Sequence, residues 1–361
     1  MKKEINVNAA VLKLIACVGV VALHTFGALS SIDSFASNAI WYTFCFSIPI
    51  FFSMSGYFGL RRIGTWKAAF LKIIGIFGLI FAWCFALFFV QLIRTGGGTN
   101  PFVNFALAFL QMGSFPRYWF FGALIILYLL NPLLSKLFQN NRTAIILFAF
   151  SIVLCFVSFV VNMVSISAHG YSIYDYNYVY WLRQSFRLWI PIAYYCVGGL
   201  MQKDFVMARL SKIGFIPWVC ISVILLIASV AYQILLGKAM VYNSPEFHHD
   251  SPIIFALVMS LIATFMFFHE KRTSNRLFIR ISNSTLGIYV LHGWVSAFIQ
   301  RYLFVPNNIL LLFGYYLIVI FVSLLVYLVM SFIPGINVFV DISWSNKIYN
   351  WIGKKRKRCH E

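Results

Sequence analysis

The sequence predicts an all-α, polytopic membrane protein of about ten transmembrane helices with both termini on the cytoplasmic side, and three observations predict it. Hydrophobic residues fill 61% of the 361 positions, aromatics 19% and charged residues only 10%, too little polar surface for a water-soluble globule. Apolar runs of about 17–25 residues, long enough to cross ~30 Å of hydrocarbon, recur along the whole chain between short polar gaps. The cations also sort by loop.

The predicted spans fall near 10–30, 39–60, 70–93, 118–135, 143–164, 186–201, 214–236, 253–269, 285–304 and 309–333. The first carries Lys13 and His24, the second ends in FFSMSGYF, and the ninth holds IYVLHGWV. The sixth and eighth are the shortest. Polar gaps are too short to fold alone, so the chain reads as one membrane domain, 1–361, with a basic cytoplasmic tail at 347–361. Lys2, Lys3, the apolar stretch and the small residues Ala28 and Ser30 have the outline of a secretory signal, but Lys13 inside the stretch favours a retained helix.

The net charge of +19 does not point to nucleic acid, because the basic residues are not gathered on one solvated face. With both ends inside, 21 of the 28 Lys and Arg residues lie on the cytoplasmic side, as the positive-inside rule requires. The tail KKRKR reads either as an anchor to anionic lipid or as a plain topology anchor. Cys17, Cys45, Cys84, Cys155, Cys196 and Cys220 lie in apolar segments without metal-ligand spacing and read as small hydrophobes. Only His248 and His249 are neighbouring histidines, and a loop pair of this kind is expected to be solvated, so no metal site is expected. The outer segment 171–181, dense in tyrosine, suits either sugar stacking or an interfacial aromatic belt.

Lys13 and His24 are the least expected residues of the first span. Eleven helical steps of ~100° return to within ~20° of the start while rising ~16 Å, so the two share one face at different depths. A charged group at mid-bilayer costs ~2.5–3.5 kcal/mol, which turns both toward the protein interior or a wet cavity. Lys13 could instead snorkel to the inner surface, and His24 could be a packing histidine; otherwise both are functional candidates.

A basic residue, ten others, then His in the first membrane helix resembles the motif of the acyltransferase 3 family, integral membrane proteins that O-acylate surface carbohydrates and related molecules. FFSMSGYF (51–58), RYWFFGALIILYLLNPLL (117–134) and IYVLHGWV (288–295) resemble further family segments in the same order. Two departures stand out: Ala10 replaces an acidic residue common three positions before the basic one, and the paired arginines before the third helix are not cleanly reproduced, since Arg61 and Arg62 come early and Lys67 and Lys72 stand nearest the helix.

The resemblance implies an O-acyltransferase that takes an acyl group, most simply acetyl, from cytosolic acyl-CoA and esterifies a hydroxyl of an extracytoplasmic glycan or polyprenyl-linked oligosaccharide at the cell (plasma) membrane. Lys13, Arg61, Arg62, Lys67 and Lys72 would grip donor phosphates by charge-assisted hydrogen bonds on the inner side. A pantetheine arm could bridge the ~16 Å to His24, whose imidazole suits a general base or a transient acyl acceptor. Tyr57, Trp119, Tyr128 and His292 occupy family-matched positions and are candidate substrate contacts. Arg183 and Arg187 could orient an acceptor carrying phosphate or carboxylate, or serve as interfacial anchors. Membrane lipid and a second copy of the chain are further expected partners. The rival readings are a transporter or flippase of a polysaccharide or polyprenyl-linked precursor, with Lys13 and His24 in the transport path, and an inactive relative serving as a membrane scaffold.

Overall fold

The computed structural model describes residues 5–29, 31–32, 34–110, 112–173, 187–241, 243–266, 272–346 and 349. In chain order the helices are α1 (Val7–Phe26), α2 (Ser34–Thr43), α3 (Ser47–Gly59), α4 (Trp66–Thr95), α5 (Pro101–Phe109), α6 (Trp119–Leu137), α7 (Asn141–His169), α8 (Trp189–Met201), α9 (Asp204–Leu210), α10 (Phe215–Gly237), α11 (Pro252–Met266), α12 (Arg276–Asn283), α13 (Thr285–Tyr302) and α14 (Ile309–Phe332). The fold is all-α. Strand is confined, among the described residues, to the antiparallel pair β1 (Ile5–Asn6) and β2 (Arg272–Thr273), which ties the start of α1 to the segment before α12.

Among the described residues seven stretches are long and apolar enough to cross a membrane: α1, the run Phe35–Gly59, α4, α6, α7, α10 and α14. The other three predicted spans coincide with α8 and α11, apolar helices of 13 and 15 residues, and with α13, of 18 residues. The predicted span 39–60 is broken at residues 44–46. Pro49 explains the break: it has no N–H for the Cys45 carbonyl and its ring would strike that group, so a new helix starts just before it.

Local chemistry sets the helix ends. The Asn6 side chain accepts from Ala9 N at the start of α1, and Thr65 accepts from Ala68 N at the start of α4. Gly96 and Gly170, at φ 69° and 74°, end α4 and α7 in the left-handed conformation.

Burial divides the helices into two groups. α4, α7, α10 and α14 carry exposed apolar side chains such as Ile93, Ile146, Ile224 and Leu310, as expected of surfaces that meet lipid. By contrast α8 is buried along nearly its whole length, and α1 is buried on most of its surface. α8 packs directly on α3: a Cβ on Gly56 would strike the Tyr195 carbonyl, and one on Gly198 the Ser53 carbonyl. Small residues thus let the two backbones touch, which is how helices associate where water supplies no hydrophobic drive.

The chain after α14 folds back along α4. Trp83 Nε1 donates to the Phe339 carbonyl (2.8 Å), and Ser345 Oγ donates to the Leu71 carbonyl (2.7 Å). Beyond Asn346 the basic tail lies outside the described residues except for Tyr349, whose ring takes the Lys67 ammonium at 4.0 Å.

Candidate active site

α1 positions the first two candidates as its periodicity requires. Lys13 lies toward the start of the helix and lines a cavity of about 260 Å³; His24 lies in its last turn and lines a larger one of about 740 Å³. Lys72 and Tyr128 line the same small cavity as Lys13, with the Lys72 ammonium 4.6 Å from the Tyr128 ring.

α13 meets α1 beside His24. Tyr289, His292 and Gly293 follow the i, i+3, i+4 spacing that places side chains on one face. The His292 imidazole stacks on His24 with ring centroids 5.1 Å apart and planes 19° from parallel. Its Nδ1 lies 3.2 Å from the Ile288 carbonyl, which can only accept, so Nδ1 carries the proton and Nε2 the lone pair. That Nε2 is buried and has no hydrogen-bond partner. Such an atom costs free energy unless a substrate or another group uses it.

Arg117 joins these elements. It lies in the short 3₁₀ turn Pro116–Tyr118 that leads into α6, and its carbonyl accepts from the Tyr289 hydroxyl. Its guanidinium rests against Gly293, where a Cβ would collide with it. Arg117 lines the His24 cavity and also a third cavity of about 420 Å³, which it shares with Tyr289 and His292. Tyr289 in turn lines the Lys13 cavity. The three cavities therefore adjoin in series: the His24 cavity and the 420 Å³ cavity share Arg117, and the 420 Å³ cavity and the Lys13 cavity share Tyr289, whose ring lies 6.0 Å from that of His292.

Their walls differ in chemistry. Asn38, Asn243, Ser244, Glu246 and Lys238 face the 740 Å³ cavity together with Trp41 and Tyr42. Leu87, Phe115, Val290, Trp294 and Ala297 face the 420 Å³ cavity, with Gln91, Ser114 and Tyr118 as polar members outside the site.

Other predicted residues lie elsewhere. Arg61 and Arg62 are exposed in the turn before α4, and Lys67 is exposed in the first turn of α4; none lines the three cavities, though all stand at the end of α4 that bears Lys72. Tyr57 and Trp119 are buried in the core and line none of them either. Arg187 is buried just before α8. Arg183 lies outside the described residues, as does most of the tyrosine-rich segment.

His248 and His249 are buried rather than solvated, because the loop between α10 and α11 folds into the bundle. His248 Nε2 donates to Asn243 Oδ1 (2.6 Å), Asn243 Nδ2 donates to the Tyr42 hydroxyl (2.7 Å), and the Tyr194 hydroxyl donates to the His249 carbonyl (2.7 Å). Burial pushes the His248 pKa down to about 4. Burial, then the neighbouring His248 and Arg187, pushes His249 down to about 3. Through Tyr42 and Asn243 this network forms one wall of the His24 cavity.

From the sequence, Arg117 is legible only as the first residue of the segment 117–134, with no role of its own. The available signal was its position directly before YWFFG, at the head of a family-like segment. Comparison with curated proteins and with solved structures gave no match. Residues 6–328 match the acyltransferase 3 family model, described as an acyltransferase domain. With that match covering most of the chain, on a helical fold with several membrane-spanning segments, the protein belongs to the acyltransferase 3 family of membrane acyltransferases.

Proposed function

We propose that the protein transfers an acyl group, acetyl in the simplest case, from cytosolic acyl-CoA to a hydroxyl of a glycan or polyprenyl-linked oligosaccharide on the far side of the cell membrane. What supports this reading is a histidine pair with a polar cavity on one side, at His24, and on the other a lysine-lined cavity that reaches Tyr289, whose ring lies 6.0 Å from that of His292. Lys13 and Lys72 hold the donor by its phosphates and arm; Arg61, Arg62 and Lys67 extend the cationic surface at the same end of α4. On this reading the end carrying Lys13 faces the cytosol.

Asn38 and Glu246 offer polar groups to a polyhydroxylated acceptor, and Trp41 offers a face for a sugar ring. His24 takes the proton of the acceptor hydroxyl, whose oxygen bonds to the acyl carbon. The carbon–sulfur bond then breaks, and the proton passes from His24 to the departing thiolate, giving an ester and free thiol. Arg117 stabilises the oxyanion formed between these steps. An acyl-imidazole formed first on histidine would use the same groups in two steps.

The test is the base-labile acyl content of the host's surface glycan, read by proton NMR in cells with the wild type, a deletion, or His24→Ala at matched protein levels. The reading predicts loss of the signals in both altered strains. Glycan export that changes while acyl content does not would replace the enzyme with a transporter.

A further inference from the structure

The cavity of about 420 Å³ beside His292 has no part in the transfer described above. We propose that it receives the acyl chain of the donor, so that the transferred group can extend well beyond the two carbons of acetyl. This rests on the acyltransferase reading and specifies its acyl group.

Continuity is the first argument. Tyr289 lines both this cavity and the one containing Lys13 and Lys72, and His292 and Arg117 line this cavity as well. A donor whose arm rises past Lys72 to the imidazole pair therefore brings its acyl carbon to the mouth of the 420 Å³ space. The second argument is chemical contrast. The 740 Å³ branch presents Asn38, Glu246 and Lys238, suited to hydroxyls, whereas the 420 Å³ branch presents Leu87, Val290, Trp294 and Ala297, suited to methylenes.

Size is the third. An apolar cavity of about 150 Å³ is enough for benzene. The branch beside His292 is far larger, and an acetyl methyl would leave most of it unfilled. A longer chain would gain apolar burial there without disturbing the acceptor side. The bonds that form and break are unchanged: the carbon–sulfur bond of the thioester is replaced by a carbon–oxygen ester bond, and the hydroxyl proton ends on the thiol.

The experiment uses the full chain in host membranes, with membranes of the deletion strain as blank, and follows thiol release from acetyl-, butyryl- and hexanoyl-CoA. Each preparation is read as the ratio of hexanoyl to acetyl rate, which cancels the amount of folded protein. The expected result is hexanoyl release within about ten-fold of acetyl for the wild type, and a ratio at least roughly ten-fold lower in Ala297→Phe and Leu87→Trp, since one methylene excluded from such a pocket already costs that much. Wild-type turnover of acetyl-CoA alone overturns the chain pocket and leaves the acyltransferase reading intact. A ratio unmoved in both variants, or equal loss of both substrates, overturns it too and points to an acceptor's lipid tail in that space. No protein-dependent thiol release from any of the three removes the acyltransferase reading and the pocket with it.

Discussion

His24 in α1 and His292 in α13 lie face to face, with ring centroids 5.1 Å apart, although the two helices are separated by most of the chain. The lone pair of His292 Nε2 is buried without a partner, a cost in free energy that the stack alone does not offset. His24→Ala is expected to lower acyl transfer on the order of 10²–10⁴-fold, the usual worth of a general base. His292→Phe keeps an aromatic ring in the stack but removes both nitrogens. A fall of about 10²-fold in that variant, at normal protein level, would mark a role in the chemistry, whereas full activity would reduce His292 to a spacer.

The Arg117 guanidinium lies where a Cβ on Gly293 of α13 would stand. Gly293→Val forces the guanidinium away from the imidazole pair. Misplacing a reacting group by about 1 Å costs near 10²-fold, so acyl transfer in host membranes should fall by that order while the protein accumulates normally. Unchanged transfer would remove Arg117 from the oxyanion role.

Lys13 and Lys72 line one cavity; Arg61 is exposed outside it. Removing a charge-assisted hydrogen bond costs about 1.5–3 kcal/mol, so Lys13→Ala and Lys72→Ala should each raise KM for acyl-CoA roughly ten- to hundred-fold with a smaller effect on kcat. Arg61→Ala should change KM less than about three-fold, the range of an exposed charge. Steady-state kinetics with varied acyl-CoA separates the two classes.

The buried loop histidines make stability depend on pH. Unfolded, both imidazoles bind protons near pH 6.5, whereas folded they do so only near 4 for His248 and near 3 for His249. The unfolded state therefore binds more protons below 6.5, and the stabilisation present above that pH is lost as pH falls through about 4. For His248 alone the shift corresponds to on the order of 3 kcal/mol. Tm of the full chain in detergent should drop between pH 7 and pH 4, and less steeply in His248→Asn, which cannot take up the proton. Parallel curves would show that the loop does not govern acid stability.

Much of this arrangement is legible in the sequence. The i, i+11 spacing puts Lys13 and His24 on one face of α1, and IYVLHGWV already places Tyr289 and His292 together, whereas 39–60 reads as one span and its break before Pro49 does not stand out. Arg117 was not legible as a site residue, because its relation to His24 and His292 is a tertiary contact across α1, α13 and the turn before α6. Nor was the burial of His248 and His249, which depends on Asn243 and Tyr42 meeting across distant segments. The short span near 186–201 looked marginal for a lipid-facing helix for a reason the fold makes plain. α8 is enclosed by its neighbours and packs on α3 through Gly56 and Gly198.

The central claim is that donor and acceptor reach one histidine pair from opposite faces of the membrane. Sealed host-membrane vesicles of either orientation, given acetyl-CoA with a labelled acetyl group on the outside only, test it most directly. The account predicts labelled glycan only in inside-out vesicles, where the end of the chain carrying Lys13 meets the donor, and loss of that label in His24→Ala. Label appearing equally in right-side-out vesicles, or persisting in His24→Ala, would contradict it.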